Sequence, residues 1–155
     1  VKGIALPEAV LLLSKEYGFF SCKEPLPNHT EKREFSERKL YLPQKHTDNE
    51  RVKKYLLGRG IAGEIIEYCI AQKLLYEESR YHNAVFIGYD GGNPKYAAIR
   101  GTNTKRRFLA EAGGSNKDFC FCLCKGKDKL NVFESAIDAM SYASMVLEGG
   151  ASDEH

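Results

Sequence analysis

Residues 85–100 read VFIGYDGGNPKYAAIR, and this stretch decides the fold. Val85, Ile87 and Tyr89 alternate with Phe86 and Gly88, the period-two pattern of a strand. Asp90-Gly91-Gly92-Asn93 is a hairpin turn signal, because tight hairpin turns need the positive φ that glycine accepts. Lys95–Arg100 then returns as the partner strand. An antiparallel hairpin is expected here.

Towards the amino end, the period lengthens to that of a helix. Val52, Tyr55 and Leu56 make one apolar face, with Thr47 or Asp48 expected to cap its start. Gly58-Arg59-Gly60 ends that helix. Ile61, Ile65 and Cys69 line the next, with Ile66 and Ile70 beside them. So short a turn predicts a helical hairpin. Leu6, Val10, Leu13 and Tyr17 give a further helical face between Pro7 and Gly18. Cys22–Lys39 carries Pro25, Pro27 and many charges without a period, which reads as a linker.

Towards the carboxyl end, Gly101–Lys117 reads as a long polar loop. Phe119–Leu123 is expected as a third strand, and Leu130–Phe133 as a fourth, strongly apolar one. Lys125–Lys129 is the turn between them. Ala136, Met140, Ala143 and Leu147 mark a last helix, stopped at Gly149-Gly150. The fold class that emerges is α+β: a helical hairpin, then a mostly antiparallel sheet, then a strand and helix.

A chain of 155 residues with a 43% apolar fraction can bury a sizeable core. The net charge of +2 excludes an argument for nucleic-acid binding from bulk charge, so any such argument rests on local patches. No apolar stretch is long enough to span a bilayer. The opening residues lack the basic-then-apolar order of a secretory leader, so none is expected. Five cysteines without regular pair spacing argue against a disulfide framework and for a reducing, cytoplasmic setting. The apolar pattern starts close to Val1 and stops soon after the last helix, so the chain is read as a piece of a longer protein.

Two groups of residues carry candidate chemistry. Glu134 follows the apolar run Leu130, Val132, Phe133, and Asp138 lies one helical turn beyond it. Acids at the carboxyl end of a buried strand sit where open α/β sheets bind ligands, and a pair of them can hold a divalent cation against phosphates. Acids are also common at strand and helix ends for purely structural reasons. The second group is the stretch Arg100-Gly101-Thr102-Asn103-Thr104-Lys105-Arg106-Arg107, with four cations, two hydroxyls and an amide in eight residues. Such side chains neutralise and hydrogen-bond phosphates, while Tyr96 and Phe108 nearby offer rings for base stacking. A solvated basic loop has the same composition. Cys120, Cys122 and Cys124 alternate in a strand pattern, which suits half-buried strand residues better than zinc ligands. His29, His46, His82 and His155 are scattered, with no cysteine or carboxylate at ligand spacing, and His82 reads as a polar cap before a strand.

The order of these motifs resembles a known family. Arg51–Cys69, RVKKYLLGRGIAGEIIEYC, resembles the helical segment that opens the catalytic core of bacterial DnaG-type primases. Asn83–Phe108 resembles the hairpin and basic stretch that follow it there. Leu130–Ala139 is similar to the first Toprim motif, and Gly3–Gly18 to the tail of a CHC2-type zinc ribbon. The set as a whole looks like the primase-like proteins of bacterial mobile elements in which a DUF3991 segment is joined to Toprim, with YHNAVFIGYDGGNPKYAAIRGTNTKRRF its most specific phrase.

That resemblance implies a domain order: residues 1–18 the zinc-ribbon tail, 19–42 a linker, 43–129 a primase-core-like, DUF3991-like subdomain, and 130–155 the start of a Toprim α/β unit. It implies Glu134 and Asp138 as catalytic and metal-linked acids using Mg2+ or Mn2+, with zinc confined to an upstream domain. Lys95, Arg100, Asn103, Lys105, Arg106 and Arg107 are the expected nucleic-acid contacts. The intact protein would then be a nucleotidyltransferase acting in DNA replication, with single-stranded DNA, nucleotides and a helicase or other replication protein as partners. This stretch alone is expected to be inactive. Ser135 stands where the motif has glycine, and the second Toprim motif, Asp-x-Asp, is absent from the sequence, as are the zinc ligands of the ribbon. The alternative reading is a noncatalytic module that binds single-stranded DNA or assembles replication proteins. A Toprim nuclease is a third.

Overall fold

A computed structural model describes residues 39–123 and 130–150 of the chain. The expected helix at 6–17, nearly all of the expected linker, the 125–129 turn and the tail lie outside the described residues. Within them run α1 (Glu50–Leu57), α2 (Gly63–Ala71), β1 (Leu75–Glu77), β2 (Ala84–Asp90), β3 (Asn93–Arg100), β4 (Leu109–Glu111) and α3 (Ala136–Gly150). The class is α+β, as the periodicities predict.

The four strands pair in sequence order, all antiparallel. The β2–β3 hairpin closes at Asp90↔Asn93, with Gly91 and Gly92 at φ of 54° and 97°. Gly88 is required for a different reason. The backbone of Phe119 and Cys120 crosses so closely over it that a Cβ at residue 88 would overlap the Phe119 carbonyl.

Alternation along the strands gives the sheet two apolar faces. Leu75, Ala84 and Phe86 face the helices and pack with Val52 and Leu56 of α1, Ile66 and Cys69 of α2, and Ile137 and Met140 of α3. Tyr76, Val85, Ile87, Ala97 and Ala112 form the opposite face, against which Leu40 packs. Leu40 belongs to a strap that crosses this second face. The strap is held at one end by Tyr41 N–H donating to the Gly113 carbonyl (2.9 Å), and at the other by His46 N–H donating to the Glu77 carbonyl (2.8 Å). In between, the Tyr76 hydroxyl donates to the Pro43 carbonyl at 2.7 Å.

The helical hairpin α1–α2 forms as expected, and Lys53 bridges to Glu67 across it at 2.7 Å. The N-cap of α1 is Asn49 rather than Thr47 or Asp48. The α3 helix starts on a reciprocal cap: Asp138 N–H donates to Ser135 Oγ (3.3 Å), and that hydroxyl donates to Asp138 Oδ2 (2.7 Å). Its buried line is Ile137, Met140 and Ser144, rotated from the expected Ala136, Met140, Ala143 and Leu147 stripe. The Ser144 hydroxyl draws the helix round by accepting from the Ala62 N–H at the start of α2 (2.9 Å).

Two expected strands are corrected. Phe119–Leu123 forms no strand, although its alternation survives as burial: Phe121 and Leu123 pack on the helix-side core, with Phe121 edge-on to Phe86 at 5.7 Å, while Cys120 and Cys122 are exposed. Leu130–Phe133 also forms no strand, and Leu130 and Val132 are 87% and 82% exposed. Among the described residues the ladder runs through β1–β4 and neither segment pairs into it, so an apolar or alternating pattern alone makes no strand here. Conversely, β4 lies inside the expected polar loop, and β1 precedes the expected start of the sheet.

Candidate functional site

The side of α1 away from the core is cationic. Arg51, Lys54, Tyr55 and Gly58 follow the three-and-four spacing that puts residues on one helix face. With Arg59, they form one wall of a groove of about 460 Å³, whose other wall is Thr102 and Thr104 from the loop after β3. Three cations, two threonines and a tyrosine line it, with no carboxylate among the lining residues. The Arg59 guanidinium lies 5.8 Å from the Tyr55 ring centroid, a cation–π contact that orders both side chains. Arg51 Nε donates to Thr102 Oγ1 at 3.2 Å, and that hydroxyl donates to the His82 carbonyl at 2.9 Å.

The groove is fixed from behind by a buried acid. Glu77, 1% exposed, ends β1 on the helix side of the sheet. Its Oε2 accepts from the backbone N–H of Arg51 (3.0 Å) and Val52 (3.1 Å), amides at the start of α1 that have no partner within the helix. Its own N–H donates to Asn49 Oδ1 at 2.8 Å. A carboxylate at a helix amino end is favoured by the partial positive charge there. Oε1 of Glu77 lies 2.6 Å from His82 Nδ1 and 4.0 Å from His46 Nδ1. The two imidazoles meet edge to face, with centroids 4.8 Å apart. His82 adopts φ 56° in the β1–β2 turn, a conformation histidine takes more readily than most residues.

The expected basic residues divide. Arg100 ends β3 in the rung Ala84↔Arg100↔Leu109, half-buried. Asn103, Lys105, Arg106 and Arg107 are exposed in the loop that follows. Asn103 Oδ1 accepts the Lys105 N–H at 3.0 Å, which turns the chain there. None of these residues lines the groove, to which the loop contributes only Thr102 and Thr104. Lys95 lies near the other end of β3, roughly 16 Å from Arg100 at strand rise. Of the expected stacking rings, Phe108 is 47% exposed. Tyr96 is half-buried, 3.4 Å from Glu111, and burial followed by that carboxylate raises its phenol above the usual range. Glu134 and Asp138 lie at the entry to α3, both exposed, with Asp138 engaged by Ser135.

Sequence reasoning missed Arg51, Lys54, Tyr55 and Arg59 as groove residues, because α1 was read only for its apolar side. It also found no carboxylate partner for any histidine, whereas the fold delivers Glu77 to both His46 and His82. The available signal was Glu77 itself, an acid directly after the apolar pair Leu74-Leu75 and Tyr76.

Residues 54–128 match DUF3991, a family of proteins of unknown function. The DUF3991 match runs from Lys54 in α1 through the whole sheet, and so includes most of the groove and all of the β1–β2 turn. It stops short of Glu134. No curated protein and no solved structure gave a match. Among the described residues, no helix is long and apolar enough to cross a membrane.

Proposed function

We propose that the groove between α1 and the 101–107 loop binds single-stranded nucleic acid, within a primase-like protein of a mobile element. The observation that carries this reading is the groove's donor set: Arg51, Lys54 and Arg59 with Thr102 and Thr104, without an opposing acid. Guanidinium and ammonium groups neutralise phosphates, and the threonine hydroxyls hydrogen-bond phosphate or sugar oxygens. Tyr55 lines the groove with the Arg59 guanidinium over its ring, and a guanidinium plane is itself a surface on which a base can stack. Lys105, Arg106 and Arg107 are exposed in the same loop, directly after Thr104, and add positive charge to it. The test is anisotropy of a labelled single-stranded oligonucleotide. Alanine at Arg51, Lys54 and Arg59 is expected to weaken binding by an order of magnitude or more, and unchanged affinity would refute the reading.

The second reading is metal-dependent nucleotidyl transfer through Glu134 and Asp138, with nucleotides and a helicase or other replication protein as further partners. It rests on the Toprim resemblance, and on the exposure of both carboxylates, Glu134 just before α3 and Asp138 in its first turn. Magnesium asks for near-octahedral oxygen ligation, and these two acids, one of them bonded to Ser135, fall short of that by themselves. No catalytic step is therefore derived through the ion. Loss of metal-dependent primer synthesis on Glu134→Gln in the intact protein would support this reading, and retained turnover would refute it.

A further inference from the structure

We infer that His46, Glu77 and His82 form a binding site for a zinc-class transition-metal ion, separate from the acids at α3. Each residue offers one ligand atom, and these atoms all lie within 4.8 Å of one another. In a tetrahedral shell with metal–ligand bonds near 2.0–2.1 Å, neighbouring ligand atoms stand about 3.3 Å apart. The observed separations from Glu77 Oε1, 2.6 Å to His82 and 4.0 Å to His46, fall on either side of that figure. Small side-chain adjustments bring all three onto one ion.

The chemistry of the donors sets the metal. Two imidazoles and one carboxylate suit zinc, cobalt, nickel or copper, whereas magnesium and calcium take oxygen. The surroundings have the features of a held ligand set. The Glu77 oxygen facing away from the histidines is fixed by the Arg51 and Val52 amides, as an outer shell orients a ligating carboxylate. The Asp48 carboxylate stands 3.4 Å from His46 Nδ1 and adds negative charge beside the site. Glu77 is buried, while the His46 and His82 side chains are 27% and 35% exposed. The carboxylate therefore forms the floor and the imidazoles a rim open to solvent, which leaves a fourth position for water or an external ligand.

Three separate elements supply the ligands: the strap, β1 and the β1–β2 turn. An ion there would fasten them together, and with them the start of α1. Ligation through Nδ1 replaces the hydrogen bond between His82 and Glu77, and the imidazole then carries its proton on Nε2. This inference does not depend on what the groove binds.

The test titrates the untagged, chelator-treated 155-residue chain with Co2+ and Zn2+. One equivalent of Co2+ is expected to give visible d–d bands without a sulfur-to-cobalt charge-transfer band, which separates this site from the cysteines. Zinc in hundredfold excess over its Kd is expected to raise the unfolding midpoint by roughly 5–10 °C. Substitution H46A together with H82N, the asparagine chosen because it tolerates positive φ, is expected to weaken the metal by at least about tenfold while the fold persists by circular dichroism. Absence of stoichiometric binding, a thiolate spectrum, or undiminished binding in the double variant would each overturn the inference.

Discussion

Arg51 and Thr102 are joined across the groove, the guanidinium donating to a hydroxyl that itself donates to the carbonyl of His82. One threonine thus ties the first turn of α1, the loop after β3 and the β1–β2 turn together. Thr102 is 8% exposed, so this hydroxyl does its bonding largely out of water.

Replacing that hydroxyl is therefore expected to loosen the groove. Thr102→Val removes one donor and one acceptor at constant shape and is expected to cost about 1 kcal/mol in urea unfolding. Thr102→Ser keeps the hydroxyl and is expected to cost less. A Thr102→Val protein as stable as the parent beside a destabilised Thr102→Ser would show that the methyl group, and not the bond, matters.

Glu77 holds the start of α1 from a strand, a role that no residue within the helix fills. Glu77→Gln keeps the shape but removes the charge that two helix amides and His82 share. Measured in chelator, so that no metal contributes, the variant is expected to lose roughly 2–3 kcal/mol of stability. A loss below about 0.5 kcal/mol, the scale of an ordinary surface change, would contradict the clamp.

Burial pushes the Cys69 thiol from its ordinary value near 9 up to about 12, and the Tyr76 phenol from 10 up to about 12. A folded-state value raised in this way favours the folded state fully below the unfolded value. That contribution is lost as pH rises through the folded one. Stability is thus expected to decline between pH 9 and about 12, and less steeply in Cys69→Ala. Urea titrations across that range check it, and a Cys69→Ala profile parallel to the parent would remove the thiol as a cause. At pH 8, a thiol reagent is expected to label the exposed Cys120 readily and Cys69 only on unfolding.

Gly88→Ala is expected to destabilise by roughly 1–3 kcal/mol, because the added methyl meets the Phe119–Cys120 backbone rather than a movable side chain. The displaced segment carries Phe121, so its edge contact with Phe86 should be disturbed as well. A Gly88→Ala protein with parental stability and unchanged ring shifts for Phe121 would contradict the close crossing.

How far the sequence could be read depended on the range of the interaction concerned. The β2–β3 hairpin and the α1–α2 pair were legible, because alternation, glycine turns and apolar stripes are local signals. Leu75–Glu77 and Leu109–Glu111 were missed because three residues are too few to display a period. Phe119–Leu123 misled in the opposite direction: its alternation marks one wet and one dry side, which a chain crossing over Gly88 has without any ladder. Leu130–Phe133 is apolar yet exposed, so composition alone gave it a strand that no described partner completes. The loop cations were found because they cluster in sequence. Arg51, Lys54 and Arg59 escaped because a helix, not a run of charge, gathers them with Thr102. The meeting of His46 with Glu77 depends on where the strap crosses the sheet, and no spacing in the chain encodes that distance.

The most direct test of the central claim is the slope of log affinity against log salt for a single-stranded oligonucleotide. The parent and the Arg51, Lys54 and Arg59 triple-alanine variant would be compared. Each phosphate contact adds about 0.7 to the slope on a single strand, so loss of three cations should flatten it by about 2. Identical slopes and affinities for the two proteins would contradict binding in this groove.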